Sequence, residues 1–208
     1  MNATVSSRAW CVSALLVGIL ITGCGAGRVT AAEFDLIVEA LQLEPGSVVA
    51  DVGAGDGDWV VKLADHVGPD GHVWATEVDQ DEIEDIEGRV LDAFLNNVTV
   101  VMGDQANAGL PPNCCDAILL RLVYHHFVVP EEMRGSLRQA LKPGGLLAIV
   151  DISPQSSWRD LPGVPDRGGH GIPIADLIHE MTTDGFEVVS RQDEWNGDQD
   201  RYCVVFRR

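Results

Sequence analysis

The sequence predicts an α/β protein: a three-layer sandwich on a seven-stranded, mostly parallel sheet that ends in a C-terminal antiparallel hairpin. Three observations predict it. Strand-like and helix-like patterning alternate along residues 47–183, as in a parallel sheet covered by helices on both faces. The first strand runs into a turn with glycine at alternate positions, Gly53, Gly55 and Gly57. The last two strand-like segments, 186–190 and 202–206, are joined by a stretch too short for a crossover helix with its loops, so they form a hairpin.

Each element follows from local pattern. Residues 31–43 carry Phe34, Ile37, Val38 and Leu41 at helical spacing, and Glu44-Pro45-Gly46 stops that helix. Residues 47–52 are a valine-rich strand, and a helix over 58–67 follows the glycine turn. Gly68-Pro69-Asp70-Gly71 turns the chain into a second strand at 72–77. Ile83, Ile86, Val90 and Phe94 mark the buried face of the next helix. Strands at 98–102 and 116–122 come next. Pro130 opens a helix with Glu131 and Glu132 in its first turn, where acidic groups meet the positive end of the helix dipole. Lys142-Pro143-Gly144-Gly145 ends it before a fifth strand at 146–152. Residues 153–172 hold three prolines and four glycines. A connection of that length is functional or disordered. Trp158, Arg159, Arg167 and His170 are its candidate pocket-lining side chains. Ile174, Leu177, Ile178 and Met181 mark the last helix.

A chain of 208 residues suits one well-packed domain. Its 14 basic and 32 acidic side chains leave a formal charge of −18. That charge repels a phosphate backbone, and no basic stripe overrides it, which argues against a nucleic-acid substrate.

The N-terminal residues differ from the rest. Arg8 is the sole charged side chain of the first 24, and residues 10–22 form an apolar run. The run is short of the ~20 residues that span a bilayer and fits the core of a secretory signal. Ile21-Thr22-Gly23-Cys24 resembles a bacterial lipobox. That resemblance implies removal of residues 1–23, a lipid on Cys24 as the mature N-terminus, a membrane-anchored location outside the cytoplasm, and a domain over 31–208. Translation from a later start, near Val29, gives a cytoplasmic protein instead; no methionine lies between Met1 and Met102. Cys114, Cys115 and Cys203 form no C-x-x-C pair and read as small core fillers.

The chemistry lies in Asp51-Val52-Gly53-Ala54-Gly55-Asp56-Gly57. Alternating glycines remove every second side chain, so the backbone can approach a ligand closely. The following helix aims its N-terminus at the same place. A dinucleotide fingerprint needs G-x-G-x-x-G/A, and the third position here is Asp58. The order Asp51, Gly53, Gly55, Gly57 resembles motif I of the class I S-adenosylmethionine-dependent methyltransferases. Further landmarks follow in order: Glu77 at the end of the second strand, Gly103-Asp104-Gln105 after the third, Leu141-Lys142-Pro143-Gly144-Gly145 before the fifth, and the final hairpin. The resemblance implies a Rossmann-like fold, S-adenosyl-L-methionine as cofactor, and methyl transfer to an acceptor that the sequence does not identify, expected to be a small molecule. It assigns the ribose hydroxyls to Glu77, the adenine to Asp104 and Gln105, and further cofactor contacts to Val78 and Arg121. By residue type alone, Asp104 is equally a turn cap and Glu77 a surface carboxylate.

Arg121-Leu122-Val123-Tyr124-His125-His126-Phe127 follows the fourth strand at the carboxyl edge of the sheet, where ligands bind in open α/β folds. His125 and His126 are the candidate catalytic residues, since an imidazole titrates near neutrality. One of them can equally cap a helix or pack under the cofactor. His125, His126 and His170 carry metal-ligating nitrogens, but adjacent positions are not a helical ligand spacing, so no metal site is expected. Two readings other than a methyltransferase remain open: a surface-anchored module that binds the cofactor without transferring methyl groups, and a nicotinamide-dependent dehydrogenase, which Asp58 and the hairpin disfavour.

Overall fold

The computed structural model describes residues 29–155 and 162–208. The lipobox-like segment with Cys24, and Trp158 and Arg159, lie outside the described residues. Among the described residues, no helix is long and apolar enough to cross a membrane.

The elements run α1 (Ala31–Ala40), β1 (Val48–Val52), α2 (Asp58–Val67), β2 (His72–Glu77), α3 (Gln80–Asp92), β3 (Val98–Met102), β4 (Cys115–Arg121), a 3-10 turn (Tyr124–His126), α4 (Pro130–Ala140), β5 (Leu141–Ile152), α5 (Ile174–Thr183), β6 (Glu187–Gln192) and β7 (Arg201–Arg207). The sheet has seven strands in the order β3-β2-β1-β4-β5-β7-β6. β1 to β5 pair in parallel, while β7 pairs antiparallel with both β5 and β6. The strand order reverses between β1 and β4, and ligands bind at such a switch point.

Apolar periodicity places the core. β4 and β5 are buried on both faces, so they read as continuous apolar runs rather than alternating ones. One core cluster lies on each side of the sheet: Leu137, Leu147, Leu177 and Phe206 belong to one, and Ile37, Val60, Leu63 and Val205 to the other. Cys115 and Cys203 are buried within them, as small fillers.

Several boundaries differ from the sequence reading: α1 stops at Ala40, and β6 and β7 run over Glu187–Gln192 and Arg201–Arg207. Phe94 is 87% exposed and adopts φ +53 just past the end of α3, so it does not continue the face made by Ile83 and Ile86. Pairing of β5 begins at Leu141, opposite Cys115, and the register shifts before Ala117 meets Leu146; the Pro-Gly-Gly stretch is thus an irregularity within β5, not a gap ahead of it. β4 ends at Arg121, because Leu122 turns sharply with φ +58.

Candidate active site

β1 delivers the glycine turn to the carboxyl edge of the sheet. Gly53 adopts φ +74, and a Cβ there would overlap the side chain of Val123. Its bare backbone lets the turn pack against the segment after β4. Gly57 caps α2 in the left-handed region, φ +78. Gly55 has φ +51, and a Cβ built on it meets nothing within 4 Å, because it would point into open space.

Glu77 ties that turn to β2. Its Oε2 accepts the Gly55 N–H at 3.1 Å and its Oε1 accepts the Val78 N–H at 2.9 Å. Each carboxylate oxygen has two lone pairs, so both can still accept a ligand hydroxyl. Asp51, 3% exposed, keeps Oδ2 buried without a hydrogen-bond partner. Burial pushes its carboxyl up to about 7, against the pull of Arg121 and with help from Glu77 and Asp56. Asp104 Oδ1 accepts the N–H groups of Ala106 and Asn107, both at 2.8 Å. The turn-cap role is therefore real, and it coexists with a place on the ligand cavity. That cavity, about 590 Å³, is lined among others by Glu77, Val78, Asp104, Gln105 and Val123.

A larger cleft of about 1490 Å³ continues from Gly53 and Gly55 to His125, His126 and His170. The chain reaches it through Leu122, whose left-handed backbone costs about 1–3 kcal/mol and is pinned by its N–H on the Val150 carbonyl at 2.8 Å. His125 is 3% exposed. Its Nδ1 lies 2.5 Å from Asp151 Oδ1, and its backbone N–H donates to Asp151 Oδ2 at 3.1 Å. Since the carboxylate only accepts, Nδ1 carries the proton of that contact. The His125 Nε2 faces His170 Nε2 at 3.0 Å. His126 is the most exposed of the three; the protein packed around its ring, with His125 and His170 beside it, lowers its pKa.

His170 arrives from far along the chain and is held firmly. Gln155 N–H donates to its carbonyl at 2.9 Å, and Ile172 N–H donates to the Ile152 carbonyl at 3.0 Å. Gly169 and Gly171 flank it with φ +138 and +126. A Cβ on Gly171 would strike the carbonyls of Ile152 and Ser153.

The other sequence-derived candidates are placed as follows. Arg121 borders the large cleft, but its guanidinium is buried against Glu33 of α1, Nε–Oε1 3.0 Å and Nη2–Oε2 3.2 Å, and lies over the Trp59 ring. Trp195 Nε1 donates to the same Glu33 oxygen at 3.3 Å. Arg167 turns inward, with its Nη2 on Glu180 Oε1 at 2.7 Å, and fastens the 162–172 segment to α5. Sequence reasoning missed Asp151 and Glu33. A lone acid at the end of the apolar run Leu146–Val150 was the available signal for Asp151; Glu33 carried none. The spacing objection to a histidine cluster presumed an α-helix. The 3-10 turn instead sets the His125 and His126 rings 4.1 Å apart, with His170 beside both.

Known proteins resemble this chain over most of the described domain. A family profile described as a methyltransferase domain matches residues 43–198. A demethylmenaquinone methyltransferase of Listeria monocytogenes is 29% identical over 118 residues, 56% of this chain and 49% of that protein. A protein-L-isoaspartate O-methyltransferase of Ignicoccus hospitalis is 34% identical over 127 residues, 60% of this chain and 57% of that protein. The chain thus spans about half the length of these curated relatives. The crystal structure of a SAM-dependent methyltransferase from Aquifex aeolicus superposes with a TM-score of 0.70 at 23% identity, covering 84% of this chain and 88% of that one. That likeness establishes the Rossmann-like fold.

Proposed function

The chain belongs to the methyltransferase-domain family, and from that premise we propose that it transfers a methyl group from S-adenosylmethionine to a small-molecule acceptor. One observation carries the cofactor half of this reading. The Gly55 N–H rests on Glu77 Oε2 beside open space, so the glycine turn and the carboxylate at the end of β2 form one cradle.

The residues fit the cofactor. The buried, unpartnered Asp51 Oδ2 suits a cationic ligand. Glu77 has lone pairs for both ribose hydroxyls. Asp104, Gln105 and Val78 line the cavity next to it and would hold the adenine. Arg121 supports the cradle through its charge on Asp51 rather than by reaching the cofactor. When bound, S-adenosylmethionine supplies a methyl group activated by its sulfonium sulfur. The protein positions the acceptor and excludes water. His125, oriented by Asp151 and in contact with His170, stands on the acceptor side of the cleft and positions the acceptor there.

Calorimetry of the purified protein tests the reading. S-adenosylmethionine and S-adenosylhomocysteine bind and NAD does not; absence of binding by the first two ends it. The acceptor is left to a screen, because relatives sharing this half of their length act on a demethylmenaquinone and on a protein isoaspartate by name.

The proposal extends to location. Ile21-Thr22-Gly23-Cys24 supports a lipid anchor on Cys24. Cys24→Ser then releases the protein from membranes. A wild-type protein without lipid mass, recovered in the cytosol, would favour the later start instead.

A further inference from the structure

The histidine cluster is built as a coordination site. Its three rings come from two distant segments, and their ligand nitrogens all lie within 4.8 Å of one another. A tetrahedral ion with bonds of about 2.0–2.1 Å holds its nitrogens about 3.3–3.4 Å apart. The 3.0 Å between His125 Nε2 and His170 Nε2 is already close to that figure. The His126 ring lies against both others, with centroids 4.1 Å from His125 and 5.4 Å from His170.

Three further features point the same way. Asp151 receives His125 Nδ1, the carboxylate–histidine arrangement that fixes which nitrogen faces a metal. Asp151 is itself fully buried and fixed by the N–H groups of His125 and Ile152. His170 is locked between two glycines by main-chain hydrogen bonds on both sides, so the distant ligand does not need to be ordered by the ion.

We propose that His125, His126 and His170 form a three-nitrogen site for one divalent transition-metal ion of the zinc class, with Asp151 orienting His125. An all-imidazole donor set favours zinc, copper or nickel over magnesium and calcium, which take oxygen ligands. Three protein ligands leave one position open, and the cleft on that side reaches Gly53 and Gly55.

The open position defines an acceptor class, an inference that rests on the methyltransferase reading: a compound that presents a hydroxyl or thiol to the ion. The ion lowers the pKa of that group, whose proton leaves to water. The oxygen or sulfur then bonds to the methyl carbon as the carbon–sulfur bond of the cofactor breaks. The electron pair goes to the sulfonium, leaving neutral S-adenosylhomocysteine.

The test uses the full chain, dialysed against a chelator and titrated with zinc. One ion binds per chain. His125→Ala and His170→Ala weaken binding by more than about 100-fold, and Asp151→Asn by roughly 10–100-fold. His179→Ala, at an exposed histidine on α5, leaves it unchanged. Thermal melts and S-adenosylhomocysteine calorimetry on the same samples establish that each variant is folded. Cobalt(II) in place of zinc gives the visible bands of a four-coordinate site in the wild type and not in His170→Ala. Acetohydroxamate, an oxygen donor, shifts those bands. No stoichiometric zinc, or wild-type zinc affinity in His125→Ala and His170→Ala, overturns the site. An unshifted cobalt spectrum overturns the acceptor class. Zinc bound without S-adenosylhomocysteine binding leaves the metal site standing and removes the methyltransferase reading; the reverse result does the opposite.

Discussion

The two sides of the cleft face each other but are made differently. The cofactor side runs from Gly53 to Gln105. Each of its residues sits within a few positions of a strand end, and its contacts are largely made by backbone: Gly55 N–H on Glu77, Val78 N–H on Glu77, two N–H groups on Asp104. The histidine side, which the proposed function gives to the acceptor, is made of side chains. His125 meets Asp151 across 26 residues of sequence and His170 across 45. A backbone-built cradle tolerates change in the side chains around it and suits a ligand shared by many proteins. On the proposed function, a side-chain cluster assembled from distant segments is where selection of the acceptor would lie. The difference explains why family resemblance speaks to the cofactor and is silent on what is methylated.

The largest expected effect probes the one costly side chain on the cofactor side. Asp51 has a folded-state pKa of about 7, raised by burial from 3.8. The sign follows from linkage. Below the unfolded value both states hold the proton and nothing is lost. As pH rises from about 4 to 7 the unfolded chain ionises first, so the folded state loses stability, and above 7 the penalty is complete. The rise from 3.8 to about 7 corresponds to ~4 kcal/mol as an upper bound. Asp51→Asn is therefore more stable than the wild type at pH 8 without ligand, and the gain disappears by pH 4. Melting curves across that range check it; a gain independent of pH would show that Asp51 is not the strained group. Saturating S-adenosylmethionine, a cation, narrows the difference at pH 8.

Next in size is the contrast between Gly55 and Arg167. A valine at Gly55 projects into the space the cofactor needs and forces a β-branched residue into φ +51. Binding of S-adenosylhomocysteine falls by at least about 100-fold, or ~2.7 kcal/mol. Arg167→Ala cuts only the tie between the 162–172 segment and Glu180, on the acceptor side, and cofactor affinity stays within about twofold. Calorimetry of both variants measures the separation. A comparable loss in Arg167→Ala would mean that the two sides are coupled, and the division drawn above would fail.

Legibility in the sequence follows the same division. Gly53, Gly55, Glu77 and Asp104 were readable because each stands at a fixed place relative to a strand whose valines and isoleucines announce it. The strand boundaries of β2 and β3 were readable for the same reason. The partnership of His125 with Asp151 was not, because it depends on β4 and β5 lying side by side, and a one-dimensional pattern does not say which strands are neighbours. The Glu33–Arg121–Trp195 contact is still less local: it joins the first helix to the loop before the last strand. Phe94 fitted the apolar period of α3 but fell beyond its end, where periodicity no longer assigns a face.

The smallest of the three effects dissects Glu77. Glu77→Ala deletes the acceptor for both ribose hydroxyls, each charge-assisted bond being worth roughly 1.5–3 kcal/mol, with water recovering part of the loss. The expected weakening is about tenfold, or ~1.4 kcal/mol. Glu77 also holds the Gly55 and Val78 N–H groups, so the variant loosens the glycine turn as well as the ribose contact. A double-mutant cycle separates the two contributions. With a cofactor analogue lacking the ribose hydroxyls, the ribose share of the loss vanishes and the turn-anchoring share persists, so Glu77→Ala still binds the analogue more weakly than the wild type does. Asp104→Ala, acting at the adenine, keeps the full penalty for removing the hydroxyls. Strict additivity between Glu77→Ala and the deoxy analogue would confine Glu77 to anchoring the turn and pass the ribose to Asp79. Asp79 borders the larger cleft but already caps α3 by accepting the Asp81 N–H at 2.8 Å. A cap residue that also took the ribose would lose helix stability and affinity together on substitution, whereas Glu77→Ala lowers affinity and leaves α3 intact.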